Sequence, residues 1–187
     1  MRALGPSDFL ALWERGRALH PLDRSLLAVH AAFPEVSYEA AADWPIGRRT
    51  RALAALRTAA FGSGLGGWTD CPECREKLEF EIDGSALAEG AVEAPGEPVI
   101  VDGQAFRLPT SRDLAGIAAE QDPAAAALRL IERCRLDDPA SPSPELDLEA
   151  IGEEMARADP LADITLQFDC PRCGAAFEES LDLGDFL

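Results

Sequence analysis

Two Cys-Pro-x-Cys elements, Cys71-Pro72-Glu73-Cys74 and Cys170-Pro171-Arg172-Cys173, are the residues whose types and spacing can do chemistry. Each is a tight turn able to present two sulfurs to a metal ion, and a structural zinc wants four such ligands in a tetrahedron. Their flanks repeat as well. Trp68-Thr69-Asp70 and Leu166-Gln167-Phe168-Asp169 precede the turns; Leu78-Glu79-Phe80-Glu81-Ile82 and Phe177-Glu178-Glu179-Ser180-Leu181 follow them. The pattern reads as strand, knuckle, strand, written twice. It makes Cys71, Cys74, Cys170 and Cys173 the candidate ligands of one shared structural Zn2+.

Other uses of paired cysteines fit less well. Nothing resembles a secretion signal, since Met1-Arg2-Ala3-Leu4 leads straight into a polar, helix-like segment. A cytoplasmic, reducing setting is therefore expected, and there paired cysteines more often bind metal or do redox chemistry than form disulfides. A thioredoxin-like motif needs its CxxC at a helix N-terminus in a βαβ setting. Both pairs here lie between strands, among acidic residues that disfavour a thiolate nucleophile. Cys134 stands at helical spacing from Leu130 and Ile131 and reads as a buried small hydrophobe.

No other constellation points to catalysis. His20 and His30 are the only histidines, and neither has a sequence partner that suggests a reaction; His20, before Pro21, suits a helix entry. Asp137-Asp138, Glu153-Glu154 and Glu178-Glu179 read as solvated faces. A catalytic zinc keeps an open position, whereas four thiolates close the site. Gly-x-Ser-x-Gly, Walker and His-Glu-x-x-His motifs are absent from the sequence. The expectation is a protein that is not an enzyme.

Composition bounds the partners. A chain of 187 residues makes one domain or two small ones. Its 47% hydrophobic share contains much Ala, which calls for a helix-rich, closely packed core. No apolar run approaches the ~20 residues of a membrane span. The formal charge of −17 repels duplex nucleic acid unless the few basic residues cluster. Protein partners are expected, with no nucleic acid and no membrane.

The elements that position the cysteines follow from periodicity and punctuation. Ser7 can cap a first helix carrying Phe9, Leu10, Leu12 and Trp13, and Pro21 opens a second that Pro34 stops. Ser37 starts a short third piece. A fourth helix, from about Arg48 to Phe61, turns Leu53, Leu56 and Ala60 inward and its four arginines outward, and Gly62 ends it. The Gly62–Gly67 run matches GxGxxG in form but lacks the strand before and the helix after, so it reads as a flexible hinge. Pro95-Gly96-Glu97-Pro98 reads as a linker. Asp102-Gly103 joins Val99-Ile100-Val101 to Gln104-Ala105-Phe106-Arg107-Leu108 as a hairpin. Thr110 and Asp113 are spaced for reciprocal capping of a helix. Asp122-Pro123 starts another with Leu128, Leu130, Ile131 and Cys134, residues 139–144 form a Pro/Ser loop, and Leu146 to Ala158 form a last helix. Strand alternation returns at Ile164, Leu166 and Phe168. The expected fold class is α+β: an N-terminal helical module (1–62), a zinc-ribbon-like base in two halves (63–94 and 161–187), and an inserted β-hairpin plus helices (95–160). Gly174 after the second pair suits a left-handed turn, whereas Arg75 after the first costs about 1 kcal/mol there. The two turns are accordingly expected to be non-equivalent, the first the more strained.

Several phrases together carry a family resemblance. They are Ala11-Leu12-Trp13-Glu14-Arg15-Gly16, His20-Pro21-Leu22-Asp23-Arg24, the first Cys-Pro-x-Cys with Leu78-Glu79-Phe80, Phe106 through Leu114, and Ala158-Asp159-Pro160 through Gly174. In this order they resemble the T-even-phage-type baseplate hub assembly chaperone, or baseplate protein, family of contractile phage-tail-like injection systems. The resemblance implies a non-enzymatic assembly factor or minor structural component whose partners are baseplate or hub/spike proteins. Members usually continue past the second cysteine pair into a Trp- and Leu-rich helical tail; this sequence stops at Asp185-Phe186-Leu187, as a short member or a cut chain would. Three other readings compete: a zinc-ribbon interaction adaptor unrelated to tails, a nucleic-acid-binding ribbon using Arg48, Arg49, Arg51 and Arg57, and, last, a redox enzyme that would need a reactive thiol after zinc removal.

Overall fold

The computed structural model describes residues 1–89, 97–136 and 146–186. Helices α1 (Pro6–Gly16), α2 (Pro21–Ala32), α3 (Tyr38–Ala42) and α4 (Ile46–Phe61) come first. Local chemistry starts each one. His20 Nδ1 accepts the Leu22 N–H at 3.3 Å ahead of Pro21, and Ser37 Oγ accepts the Ala40 N–H at 3.1 Å. In α1 the start lies at Pro6 rather than Ser7: the fixed φ of proline suits the first helical position, and Asp8 accepts the Gly5 N–H at 2.8 Å. Gly62 ends α4 with φ 86°, as expected.

Two corrections concern α4 and the glycines after it. The helix begins at Ile46, and its arginines do not all face outward. Arg49 is buried and donates to Ser111 Oγ at 2.7 Å; Arg48 lies 3.9 Å from the Trp44 ring centroid; Arg57 donates to the carbonyls of Gly62 and Gly64. A helix packed on several sides holds its long side chains by their apolar stems, and their heads then bind backbone and ring faces. The glycine run is not a hinge either. Gly64 to Gly67 lie in strand β1 (Gly64–Asp70), paired antiparallel with β2 (Lys77–Asp83). Gly67 faces Phe80, and a Cβ there would stand 2.6 Å from the ring. Glycine at 67 makes room for an aromatic neighbour.

After a short helix α5 (Ser85–Ala88), which periodicity is too brief to show, comes the inserted part. Strands β3 (Val99–Val101) and β4 (Gln104–Phe106) turn through Asp102 (φ 50°) and Gly103 (φ 77°), the pair of positive angles that a two-residue hairpin needs. Helices α6 (Ser111–Ile117), α7 (Pro123–Cys134) and α8 (Leu148–Ala158) follow. Asp122 and Asp147 cap the last two; α8 therefore starts two residues later than Leu146. Strands β5 (Thr165–Asp169) and β6 (Ala176–Ser180) and a 3-10 turn at Leu183–Phe186 complete the chain. Among the described residues the fold is thus helices with three separate two-stranded antiparallel sheets. The expected linker falls partly outside the described residues, and the 139–144 loop and Asp137-Asp138 wholly so.

Burial divides into two clusters. One joins Leu26, Val29, Ala32, Leu53 and Leu56 to Leu65, Leu181 and Leu183, so residues from both halves of the chain share it. The other lies within the insert: Val99, Phe106, Leu108, Ile131, Cys134, Ile151 and Met155. Asp113, 1% exposed, anchors this second cluster. It accepts from Arg107 at 2.5 and 2.9 Å, from Arg133 at 3.2 Å, and from the Thr110 N–H and hydroxyl at 3.0 and 2.8 Å. Burial works against its charge, but Arg107 and Thr110 outweigh that and hold the carboxyl at about 2.

The insert docks on the N-terminus of α4. The Ile46 N–H donates to the Pro109 carbonyl at 3.0 Å, Arg112 forks onto Asp43 at 2.7 and 3.1 Å, and the Gly47 N–H donates to Asp159 Oδ2 at 2.9 Å. Asp159 thus caps α4 from 112 positions away, where Pro45 supplies no side-chain cap. A Cβ on residue 47 would fall 1.7 Å from Asp159 Oδ1.

Two outcomes follow. Asp113→Asn should destabilise the chain by about 3 kcal/mol in urea unfolding, because it strands two arginines against a buried amide. Since the folded carboxyl titrates below its ordinary value, the wild type keeps this contribution above about pH 4 and loses it as pH falls toward 2, and the variant lacks that loss. Gly47→Ala and Asp159→Ala should each cost about 1 kcal/mol through the same lost cap. Additive effects in the double variant would refute the shared cause.

Candidate metal centre

The two cysteine turns join β1 to β2 and β5 to β6, and both have the same backbone. Cys71 N–H donates to the Glu76 carbonyl at 2.8 Å and Arg75 N–H to the Cys71 carbonyl at 2.9 Å; Cys170 and Ala175, and Gly174 and Cys170, repeat these bonds at 2.9 Å each. Arg75 has φ 60° and Gly174 φ 75°. The expected non-equivalence is corrected on this point: the conformations match, and the expected strain sits in Arg75, whose Cβ is crowded in the left-handed region.

The turns bring four sulfurs together. The Sγ atoms of Cys71, Cys74, Cys170 and Cys173 all lie within 4.8 Å of one another. Cys71 is 3.7 Å from Cys173, and Cys74 is 3.6 Å from Cys170, so close sulfur pairs run between the turns. A tetrahedron with metal–sulfur bonds of about 2.3 Å has edges of about 3.8 Å. The donor set fits a metal ion. Cys71 and Cys170, the first cysteine of each pair, are buried, while Cys173 is exposed.

Charge argues the same way. Burial opposes ionisation of Cys170, but the N–H groups of Cys173 and Arg172 outweigh it and bring the thiol down to about 7. At Cys74 the Glu76 N–H favours the thiolate, yet burial and the three neighbouring sulfurs push the thiol up to about 12. Four thiols at this spacing cannot all ionise against one another unless a cation sits among them.

Packing holds the hairpins in register around the sulfurs. Alternation puts Leu78, Phe80 and Ile82 on one face of β2 and Leu166 and Phe168 on one face of β5. Phe80 meets Phe168 at 5.4 Å between centroids, and Phe168 stacks on Phe177 at 5.5 Å. Thr69 donates to Glu179 at 3.1 Å and Arg172 to Glu76 at 3.1 Å across the same seam. The period-2 pattern marks these aromatics as inward-facing, but which hairpin they meet has no local signal.

The remaining chemically notable residues take other places. Cys134 is fully buried in the second cluster, with its thiol pushed up to about 11 by burial. His20 caps α2, and His30 Nδ1 lies 2.7 Å from the Val36 carbonyl. Glu178 accepts from Gln167 at 3.2 Å on the outer face of its hairpin, and Glu154 pairs with Arg157 on α8.

Comparison with family models, with curated proteins and with solved structures gives no match for this chain. Among the described residues no helix is long and apolar enough to cross a membrane.

The strain at Arg75 is measurable. Arg75→Gly should raise stability by up to about 1 kcal/mol, offset in part by glycine's backbone entropy, while Gly174→Arg should lower it by 1–2 kcal/mol. Equal and opposite mutations with no difference in denaturation midpoint would show that the turns do not need the left-handed conformation.

Proposed function

We propose that this chain is a non-enzymatic assembly factor, or minor structural component, of a contractile phage-tail-like baseplate, with baseplate or hub/spike proteins as partners. Its base is zinc-ribbon-like: two Cys-Pro-x-Cys knuckles, in which Cys71, Cys74, Cys170 and Cys173 hold one structural zinc. The convergence of four sulfurs from the two hairpins carries this reading. Four thiolates fill the tetrahedral sphere of Zn2+ and leave no position for a substrate or an activated water. The ion would stabilise the fold and do no chemistry on a ligand.

The tail assignment rests on the sequence resemblance, which runs through the motifs that build the base and its docking to the insert. A cytoplasmic setting agrees with unpaired thiols. The arginines of α4 speak against the nucleic-acid reading: Arg48, Arg49 and Arg57 bind Trp44, Ser111 and backbone carbonyls, and Arg51 has an interaction of its own. A surface of net charge −17 then repels a phosphate backbone.

Native mass spectrometry of the full chain should show one zinc per molecule, absent from Cys71→Ser/Cys74→Ser. Unchanged metal content in that variant would sink the zinc site. Co-expression with the baseplate and spike proteins of a contractile tail, followed by pulldown, should recover a complex, and failure with every one of them would sink the tail assignment.

A further inference from the structure

Helix α1 is loosely seated. Of its 11 residues only Gly16 is buried, and Leu10 and Trp13 are 57% and 62% exposed. Where it crosses α2 it leaves an open cleft of about 250 Å3 lined by Phe9, Leu12, Trp13 and Leu27. Arg17 and Arg24 line it too, and both are exposed. Arg17 lies 5.9 Å from the Trp13 ring centroid, and neither arginine meets a carboxylate among the described residues.

Among the described residues, Arg17 and Arg24 belong to the basic residues that have no ion pair, and others do have one. Acidic residues outnumber basic ones 34 to 17, and a carboxylate partner is within reach of several arginines. Arg2, Arg107, Arg112, Arg129, Arg133, Arg157 and Arg172 all have one. Beside the cleft, the described residues set no carboxylate against Arg17 or Arg24, which stand next to exposed aromatic surface. Trp and Arg together are the side chains that most often dominate a protein interface.

We infer that this cleft docks a short amphipathic helix of a protein partner, with a Leu or Phe anchor in the cleft and carboxylates against Arg17 and Arg24. The volume admits one or two large side chains and is small for an organic cofactor. An apolar stripe on a helix, entering a groove at i and i+4, is the recognition mode that such a cleft fits. The surrounding acidic surface repels a uniformly anionic partner, so the carboxylates must sit close to the anchor. This inference rests on the reading of the chain as an interaction protein and places the contact on α1 and α2, away from the sulfurs.

The probe is a fluorescent synthetic helical peptide of ~16 residues with Leu at i and i+4 flanked by Glu, titrated into the zinc-loaded full chain by anisotropy. Saturable micromolar binding is expected. It should weaken at least tenfold in Arg17→Glu/Arg24→Glu and in Trp13→Ala, with thermal unfolding unchanged because all three side chains are exposed. Arg17→Gln/Arg24→Gln should fall between. Absence of binding, or equal affinity for the charge-reversed chain, would overturn the proposal. So would tighter binding by a chain ending at Gly184, which would make its own last residues the occupant, or a dimer in sedimentation that Arg17→Glu/Arg24→Glu dissociates, which would make it a second copy. A chain that captures baseplate proteins yet binds the peptide without regard to Arg17 and Arg24 loses the docking site alone. One that binds the peptide as expected but captures none of them loses the tail assignment alone.

Discussion

Cys74 and Cys170 lie 96 positions apart in sequence, and Cys71 and Cys173 lie 102 apart, yet each pair of sulfurs stands within 3.7 Å. Everything between them is a closed loop. Confining a loop of about 100 residues removes conformational freedom from the unfolded chain worth ~4.7 kcal/mol when the link is a disulfide. A four-thiolate metal centre would impose a constraint of the same kind, with the difference that its strength depends on metal and on pH through the thiols. The aromatic seam of Phe80, Phe168 and Phe177 lies beside this closure and needs it: two-stranded hairpins are marginal alone, and here each is stabilised against the other.

A second closure lies at the start of α4, and it explains why the insert is not merely tethered. Residues 106–114 read in the sequence as a motif that invites a functional assignment. In the structure nearly every position holds something. Phe106 and Leu108 fill the second cluster, Pro109 accepts from Ile46, Thr110 and Asp113 cap α6 reciprocally, Ser111 takes Arg49, and Arg112 takes Asp43. Asp159, immediately after α8, closes the same surface through Gly47. The density of chemistry-bearing residues in that segment comes from docking one cluster against another. The contacts are mutually dependent, because Asp113 orients the turn that carries Ser111 and Arg112.

Local rules made much of this legible. Pro21, Ser37, Asp122 and the Thr110/Asp113 pair mark helix starts because a cap acts within one turn, and Asp102-Gly103 marks a hairpin because few residues accept two positive φ angles. The convergence of the four cysteines was legible too, through duplicated spacing and flanks. What escaped were effects with distant causes. Gly67 looks flexible until Phe80 is placed against it, the arginines of α4 look solvated until Trp44 and Ser111 arrive, and no local signal links Asp159 to Gly47. Arg75 differs again: its sequence predicted strain, and whether the backbone would accept that strain was decided by the paired hydrogen bonds of the turn.

Those long-range uses of arginine bear on what the surface offers. With 34 acidic and 17 basic residues, each arginine drawn into an ion pair or onto a carbonyl leaves the exterior more negative. The fold spends most of its cations on joining its own parts: Arg107, Arg133, Arg112 and Arg49 stabilise the insert and its docking, and Arg172 ties one cysteine turn to the other. Positive charge left at the surface is therefore scarce. An acidic exterior of this kind keeps the chain apart from its copies and from phosphate backbones, and it makes any surviving basic spot selective. Arg17 and Arg24 stand at one such spot, beside exposed aromatic area and a helix of which Gly16 alone is buried. Partner choice in this molecule then follows from what the fold did not need, since the residues that bind its own parts are no longer available to bind another's.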